Sequence, residues 1–339
     1  MRVGSDDTPE GFRGVGSRAD PPHGPASVEC VSRGIRLTVT VPSADFAESL
    51  GDVPDGVDVI VWDMTDAPPR ERLDIVVPPY MSVGRTLHHL EGVDVGLVQG
   101  QSIGYDGIEQ RLPHGLVFAN ASSVHEASTS ELALALTLAA QRHIPSFVRS
   151  QTEGRWAPEF ADSLADRRVL LLGYGGVGKA VAARLAPFEV HVTAVASRAR
   201  DEDGVAVHGV DELPELLPSA EIVIATLPGG DATKHIVDDA FLSALPDGAL
   251  VVNVGRGSLI DTDALVDHVR RGRIRAALDV TDPEPLPEGH PLWSLPGALI
   301  VPHVGGASSA MRPRMARLVR RQIDRMLAGE PPLNVVIGG

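Results

Sequence analysis

The run Val169-Leu-Leu-Leu-Gly-Tyr-Gly-Gly-Val-Gly178 constrains this chain more than any other stretch. Val169 to Leu172 predict a short buried strand. Gly173, Gly175 and Gly178 follow with G-x-G-x-x-G spacing, and Lys179-Ala-Val-Ala-Ala-Arg-Leu-Ala186 predicts a helix. The three glycines serve different ends. Gly173 permits a tight turn, Gly175 the close approach of a pyrophosphate, and Gly178 the packing of helix on strand. The helix start offers unpaired N–H groups and partial positive charge to phosphate oxygens. The bland alternative is an ordinary glycine-rich turn. The strand before the turn and the helix after it favour a bound dinucleotide.

A second α/β core is expected besides this one, because 339 residues exceed what a single core usually holds. Strands are predicted at Ile35–Val41, Val57–Trp62, Leu73–Val77, around Val93–Val98 and at Val117–Phe118, with a helix at Ala44–Leu50. A second series runs through Val169–Leu172, His191–Ala196, Glu221–Thr226, Ala249–Val254, Ile274–Asp279 and Leu299–Val301. Strands alternating with helical stretches imply two parallel-sheet α/β domains. A helix over about Ser309 to Leu327 leaves the second series and is expected to return to the first core. The substrate domain is therefore assigned to 35–130 and 306–339, and the dinucleotide-binding domain to 131–305. Residues 1–34 hold six Gly and four Pro with no apolar period and read as a disordered tail.

Ser128-Thr-Ser-Glu131 reads as a capping box ahead of one long apolar helix, Leu132 to about Ser150, expected to be buried between the domains. Trp156 is expected to pack against its own chain rather than line a cleft or an oligomer interface.

Composition narrows the function classes. The net charge of −15 argues against nonspecific nucleic-acid binding, which depends on neutralising phosphates. Cys30 is the only cysteine, which excludes an intrachain disulfide and favours a reducing compartment. No apolar run is long enough to span a bilayer, and no signal-peptide pattern opens the chain. A cytoplasmic location without membrane association follows as the expectation, and no metal is assigned.

Ligands of open parallel sheets bind beyond the carboxyl ends of the strands. Three such ends carry reactive side chains. Asn253-Val-Gly-Arg-Gly257 places Arg256 there, Asp279-Val-Thr-Asp-Pro-Glu-Pro285 places Asp279 and Glu284, and Val301-Pro-His-Val-Gly-Gly306 places His303. Arg256 can grip a carboxylate or carbonyl oxygen with a forked, permanent charge. His303 titrates near ~6.5 when unperturbed and can exchange a hydroxyl proton. Glu284 can hold the imidazole in one tautomer and raise its pKa. Any one of these alone reads as a solvated loop residue. Their convergence on one sheet edge favours catalysis.

These segments, with Glu284-Pro-Leu-Pro287 and the closing Gly329-Glu-Pro-Pro-Leu-Asn-Val-Val336, resemble the D-isomer-specific 2-hydroxyacid dehydrogenase family. The resemblance runs from about Ile35 to the C-terminus and is most specific beyond Glu131. It implies a flavodoxin-like substrate domain around an inserted Rossmann domain, a homodimer, and hydride transfer between C4 of a nicotinamide and C2 of a small 2-oxo or D-2-hydroxy acid. It implies Arg256 as substrate binder, His303 as acid/base and Glu284 as its partner. It also implies a Ser102–Ile103–Gly104 loop offering N–H groups to the substrate carboxylate, and Asp279 at the nicotinamide carboxamide. Cofactor contacts are further expected at Gly173, Gly175, Gly176, Val177, Gly178, Leu227, Pro228, Thr233, Val254, Gly255 and Gly305.

Family members that take NAD usually end the second strand with an acidic residue for the ribose 2′-hydroxyl. Here that position is Ala196, followed by Ser197 and Arg198 and then Arg200, which suits a 2′-phosphate. NADP is the preferred cofactor on this reading, with NAD possible. Phosphite-oxidising relatives carry a Lys where this chain has Ile103, and formate-oxidising relatives pair the His with Gln; both activities are disfavoured. The sequence closes on the family core, so the regulatory domain of some phosphoglycerate dehydrogenases is not expected. Tyr80, Met81, Ile103 and Tyr105 offer no charge to a second anionic group, which points to glyoxylate, hydroxypyruvate or an apolar 2-oxo acid. Two other readings stay open: a nucleotide-sensing, corepressor-like protein on the same fold, and reduction of an unrelated carbonyl.

Overall fold

The computed structural model describes residues 37–338, so the predicted tail over 1–34 lies outside the described residues. Two twisted α/β sheets carry the fold, as the sequence predicted. The first contains β1 (Leu37–Val41), β2 (Val57–Val61), β3 (Arg72–Val76), β4 (Asp94–Gln99), β5 (Phe118–Ala119) and, last in the chain, β14 (Val335–Ile337). Its order is β14-β5-β4-β3-β1-β2, parallel except for β14, which pairs antiparallel with β5. The second contains β6 (Arg168–Leu172), β7 (His191–Ala196), β8 (Arg200–Glu202), β9 (Val205–Gly209), β10 (Ile222–Ala225), β11 (Ala249–Asn253), β12 (Ile274–Leu278) and β13 (Ala298–Ile300). Its order is β13-β12-β11-β10-β6-β7-β9-β8.

The chain crosses from the first sheet to the second after β5 and returns through the helix Met311–Leu327. Met315, Leu318, Val319 and Ile323 lie on one face of that helix and are buried with Leu37, Val39 and Ile75 of the first sheet. Each such side chain contributes about 1.5–3 kcal/mol of burial. A buried amide relay adds direction: Gln322 Nε2 donates to Gln99 Oε1 and to the Leu333 carbonyl, while its Oε1 accepts from the Leu333 N–H. Sheet and C-terminal helix are thereby fixed in register.

The second sheet corrects the strand count. Six strands were predicted there; eight form. The third strand of the nucleotide fold is β9, which was not predicted, and β8 joins it as an antiparallel edge. The missed signal is Asp203-Gly204, both at positive φ (55° and 79°), which makes a two-residue hairpin turn between Glu202 and Val205.

The interdomain helix is corrected as well. It starts at Glu126, not after a Ser128 cap, and Ser128 Oγ donates back to the His125 carbonyl from inside the first turn. Glu126 Oε1 accepts instead from the Ser123 N–H (2.6 Å). The helix stops at Gln141, and a second one, Ile144–Thr152, follows a break at His143 (φ 54°). Pro145 explains the break: it has no N–H to donate and its ring collides with the preceding turn. The first segment packs on one face of the second sheet, beside the helix Gly176–Leu185. Trp156 does not pack against its own chain; it is 97% exposed. No helix among the described residues is long and apolar enough to cross a membrane.

Candidate active site

β6 lies between β7 and β10, where the strand order reverses, and the glycine-rich turn leaves β6 at that switch point. Gly173 adopts φ 111°, open only to glycine, and its carbonyl accepts from Thr226 Oγ1 at 2.9 Å. A Cβ at Gly178 would fall on that same carbonyl, so the helix can approach the strand only without one. A Cβ at Gly175 would meet nothing within 4 Å, which leaves its backbone open to a ligand. Gly176 and Val177 open the helix that follows. Leu227 and Gly255 lie against each other across the turn, with the Leu227 carbonyl 2.6 Å from where a Gly255 Cβ would stand. Thr233 Oγ1 closes the neighbouring loop onto the Pro228 carbonyl at 2.8 Å. Val254 is buried behind them, its N–H donating to Ala225.

Arg256, Glu284 and His303 follow the ends of β11, β12 and β13; Glu284 and His303 are in direct contact, and Arg256 is near enough to influence the imidazole. Asn253, which the sequence reading did not single out, shapes the loop that carries Arg256. Its Oδ1 accepts from the Gly255 N–H (3.0 Å) and its Nδ2 donates to the Arg256 carbonyl (2.8 Å). Asp279 is buried (3% exposed) and clamps the next loop: Oδ1 accepts from the Val304 N–H at 2.7 Å and Oδ2 from the Gly305 N–H at 3.0 Å. Burial pushes its carboxyl above the ordinary range despite these two bonds. His303, held at φ 52°, donates from its backbone to the Asp279 carbonyl. Its Nδ1 is 2.5 Å from Glu284 Oε1. That bond raises the imidazole pKa, against burial and Arg256, which lower it; Asp279 adds to the rise. With Nδ1–H given to Glu284, Nε2 is left for a ligand.

The first-domain loop meets Arg256 directly. A Cβ at Gly104 would fall on the guanidinium, so a side chain there would displace Arg256 from its present position. The carbonyls of Ser102 and Ile103 are committed, accepting from the Ala121 N–H (2.9 Å) and Asn120 Nδ2 (2.8 Å). The N–H groups of Ile103 and Gly104 donate to no described residue. Sequence reasoning missed Asp106, whose Oδ2 accepts from Arg256 Nε at 2.9 Å across the two sheets. The only hint was an acidic residue two positions past Gly104.

At the far end of β7, Ala196 is buried while Ser197 and Arg198 are exposed. The Arg198 guanidinium bonds to no described residue. Arg200 reaches the glycine-rich turn, donating to the Tyr174 carbonyl at 3.3 Å, and pairs with Glu202, which also binds Lys179 at 2.5 Å.

Residues 134–305 match the family model described as D-isomer specific 2-hydroxyacid dehydrogenase, NAD binding domain. The chain belongs to the D-isomer specific 2-hydroxyacid dehydrogenase family. It is an enzyme of this NAD(P)-dependent family, and both its sheets follow the family fold. It is 34% identical over 248 residues to an uncharacterized protein in the proB 3′ region of Corynebacterium melassecola, covering 70% of this chain and 80% of that one. It is 29% identical over 250 residues to a human glyoxylate reductase/hydroxypyruvate reductase, covering 71% and 76%. Among solved structures, the dehydrogenase of this family from Xanthobacter autotrophicus Py2, in complex with NADPH and MES, superposes with a TM-score of 0.74. That match has 30% identity and covers 90% of this chain and 99% of the other.

Proposed function

We propose that this dehydrogenase reduces small 2-oxo acids to D-2-hydroxy acids, prefers NADPH, and takes glyoxylate or hydroxypyruvate. The observation that carries the reading is the Glu284–His303 pair and Arg256 on strand ends beside the glycine-rich turn. The human relative bears the name of such a reductase, and the Xanthobacter structure was solved with NADPH.

The residues fit a dinucleotide. Open space above Gly175 and the free helix start suit a diphosphate, with Gly173 to Gly178, Leu227, Pro228, Thr233, Val254, Gly255 and Gly305 around it. When bound, the nicotinamide supplies the hydride for C2. The chain's own residues supply orientation and the proton. The N–H groups of Ile103 and Gly104, which donate to no described residue, and Arg256 suit the substrate carboxylate and its adjacent carbonyl. Glu284 keeps Nδ1 protonated, so His303 in its charged form carries a second proton at Nε2 to give to the forming hydroxyl. Asp279 holds the His303 loop, and the lone pairs left on its oxygens suit the carboxamide. Ala196, Ser197, Arg198 and Arg200 support NADP over NAD through space and positive charge.

The same reading takes 35–130 with 306–339 as substrate domain, 131–305 as nucleotide domain, a cytoplasmic location and a homodimer. Trp156 and Phe160, almost wholly exposed, and Ile144 and Val148, about half exposed, support the dimer as apolar side chains close together in the sequence. The test is NADPH oxidation with glyoxylate, hydroxypyruvate and longer 2-oxo acids, followed by absorbance. Turnover with at least one is expected. A flat trace across the panel despite normal cofactor binding would favour a nucleotide sensor.

A further inference from the structure

The β8–β9 hairpin folds its charges back onto the glycine-rich turn. Glu202, the last residue of β8, commits both carboxylate oxygens to cations. Its Oε1 lies 2.5 Å from Lys179 Nζ, while Oε2 accepts from Arg200 Nε at 2.8 Å and pairs with Arg200 Nη2 at 2.7 Å. Lys179 directly follows Gly178 in the helix that the turn opens. Arg200 Nη2 also donates to the Tyr174 carbonyl at 3.3 Å, inside the G-x-G-x-x-G run, and Nη1 to the Arg198 carbonyl at 3.5 Å. One carboxylate thus holds two cations beside the helix start that suits a diphosphate.

The charges of this group nearly cancel. Bonds from Lys179 and then Arg200 hold the Glu202 carboxyl below the ordinary range, so it is ionised at neutral pH, and Glu202 in turn raises the Lys179 ammonium. Of the three cations around the turn and the end of β7, Lys179 and Arg200 are paired, and only the Arg198 guanidinium bonds to no described residue. Asp203 is a weaker partner, 3.8 Å from Lys179 with its side chain 88% exposed. Glu202 does not stand where an acidic residue usually reads the ribose of NAD. That position is Ala196, at the end of β7, and Glu202 faces the turn from a different strand.

We propose that Glu202 is a specificity-determining residue for the cofactor, one that limits the preference for NADPH by neutralising Lys179 and Arg200. A ribose 2′-phosphate carries about two negative charges. It meets two cations already paired, and a carboxylate of its own sign. A ribose 2′-hydroxyl is neutral and meets no such opposition. The effect acts through space, so Glu202 sets the choice between cofactors without touching the reacting atoms. The inference rests on the cofactor part of the proposed function, a nicotinamide dinucleotide held at the glycine-rich turn.

The test is the Kd of NADPH and of NADH, measured by calorimetric titration without any 2-oxo acid, for the wild type, Glu202→Gln and Glu202→Asp. Glu202→Gln keeps the side-chain length and removes the charge. Affinity for NADPH relative to NADH is expected to rise about three- to fivefold at low ionic strength, through tighter NADPH binding, and the gain should shrink as salt is added. Glu202→Asp keeps the charge, and its ratio is expected to stay within about twofold of the wild type. A ratio unmoved in Glu202→Gln overturns the inference. So does a ratio that falls, which would make Glu202 the residue that presents Arg200 to the phosphate, and so does an equal rise in Glu202→Asp. A wild type that binds neither nucleotide brings down the cofactor reading, and this inference with it. A wild type that binds NADH the more tightly contradicts the proposed preference alone, and the shift in Glu202→Gln still decides the role of Glu202.

Discussion

The two walls of the crevice are built on different terms. On the nucleotide side the polar groups around His303 are largely spent on their own loops. Asp279 clamps Val304 and Gly305, Asn253 folds the Arg256 loop, and Glu284 holds His303. On the substrate side some groups bond to no described residue, the N–H groups of Ile103 and Gly104 and the Tyr80 hydroxyl among them. A wall that is satisfied before ligand arrives holds reacting atoms in fixed positions. An unsatisfied wall is completed by the ligand and therefore discriminates between ligands. On the proposed function, chemistry falls to the strand ends of the second sheet and choice of substrate to the loops of the first.

Removing a committed group should damage turnover with every substrate. His303→Ala is expected to lower kcat about 10²–10⁴-fold with all 2-oxo acids tested, the range set by losing a general acid. Steady-state kinetics across the panel would check it. A loss confined to one substrate would contradict the division between walls.

Glu284→Gln should cost less, because the imidazole keeps its place and a hydrogen-bonding neighbour but loses a negative charge. Glu284 raises the His303 pKa, and the proposed reduction needs the protonated ring. Activity in the reducing direction should therefore hold below that raised pKa and fall as pH climbs through it. In the variant the fall should begin at lower pH, with kcat/KM at neutral pH reduced about 10-fold for each unit of downward shift once the ring is mostly unprotonated. The pH profile of kcat/KM is the measurement, and an unmoved profile would show that Glu284 does not set the proton's affinity.

Asp106 tests the contact between the walls. Its bond to Arg256 links the first-domain loop to the second sheet, yet Asp106 is nearly half exposed. Such pairs are worth only about 0–1 kcal/mol. Asp106→Asn is accordingly expected to raise KM about fivefold or less, leave kcat within about twofold, and hardly move Tm. A large loss of kcat would mean that Arg256 depends on this partner for its catalytic position.

Legibility followed the same division. The glycine-rich turn and the strand ends were readable because periodicity and fixed spacing put Arg256, Glu284 and His303 on one sheet edge. The β8–β9 hairpin was missed because β8 is only three polar residues and β9 offers just Val205, Ala206 and Val207 as an apolar signal, although Asp203-Gly204 marked the turn. The Ser128 cap was misread because Ser in a first turn can bond back to a carbonyl as readily as cap a helix. Asp106 was not readable as a site residue. Its partner, Arg256, is 150 positions away, and local pattern carries no information about such a pair.

The end of β7 is where the comparison can be sharpened most finely, because it is a nucleotide-side site left uncommitted. Ala196 is buried at the strand end, and the Arg198 guanidinium is unbonded to any described residue. An uncommitted group should discriminate, and here the choice is between a ribose 2′-phosphate and a 2′-hydroxyl. Arg200 is less free, since Glu202 already pairs with it and is shared with Lys179. Ala196→Asp would present a carboxylate that accepts from a 2′-hydroxyl and repels a phosphate. The ratio of kcat/KM for NADPH over NADH should fall about 10-fold, equal to ~1.4 kcal/mol, with the order of preference among 2-oxo acids unchanged. Arg198→Ala should move the ratio the same way by a smaller factor, because an exposed cation is screened. If both substitutions lower the rates with the two cofactors equally, the strand end is structural and cofactor choice is made elsewhere. If only Ala196→Asp moves the ratio, the selectivity comes from the vacant space at the strand end and not from the arginine's charge.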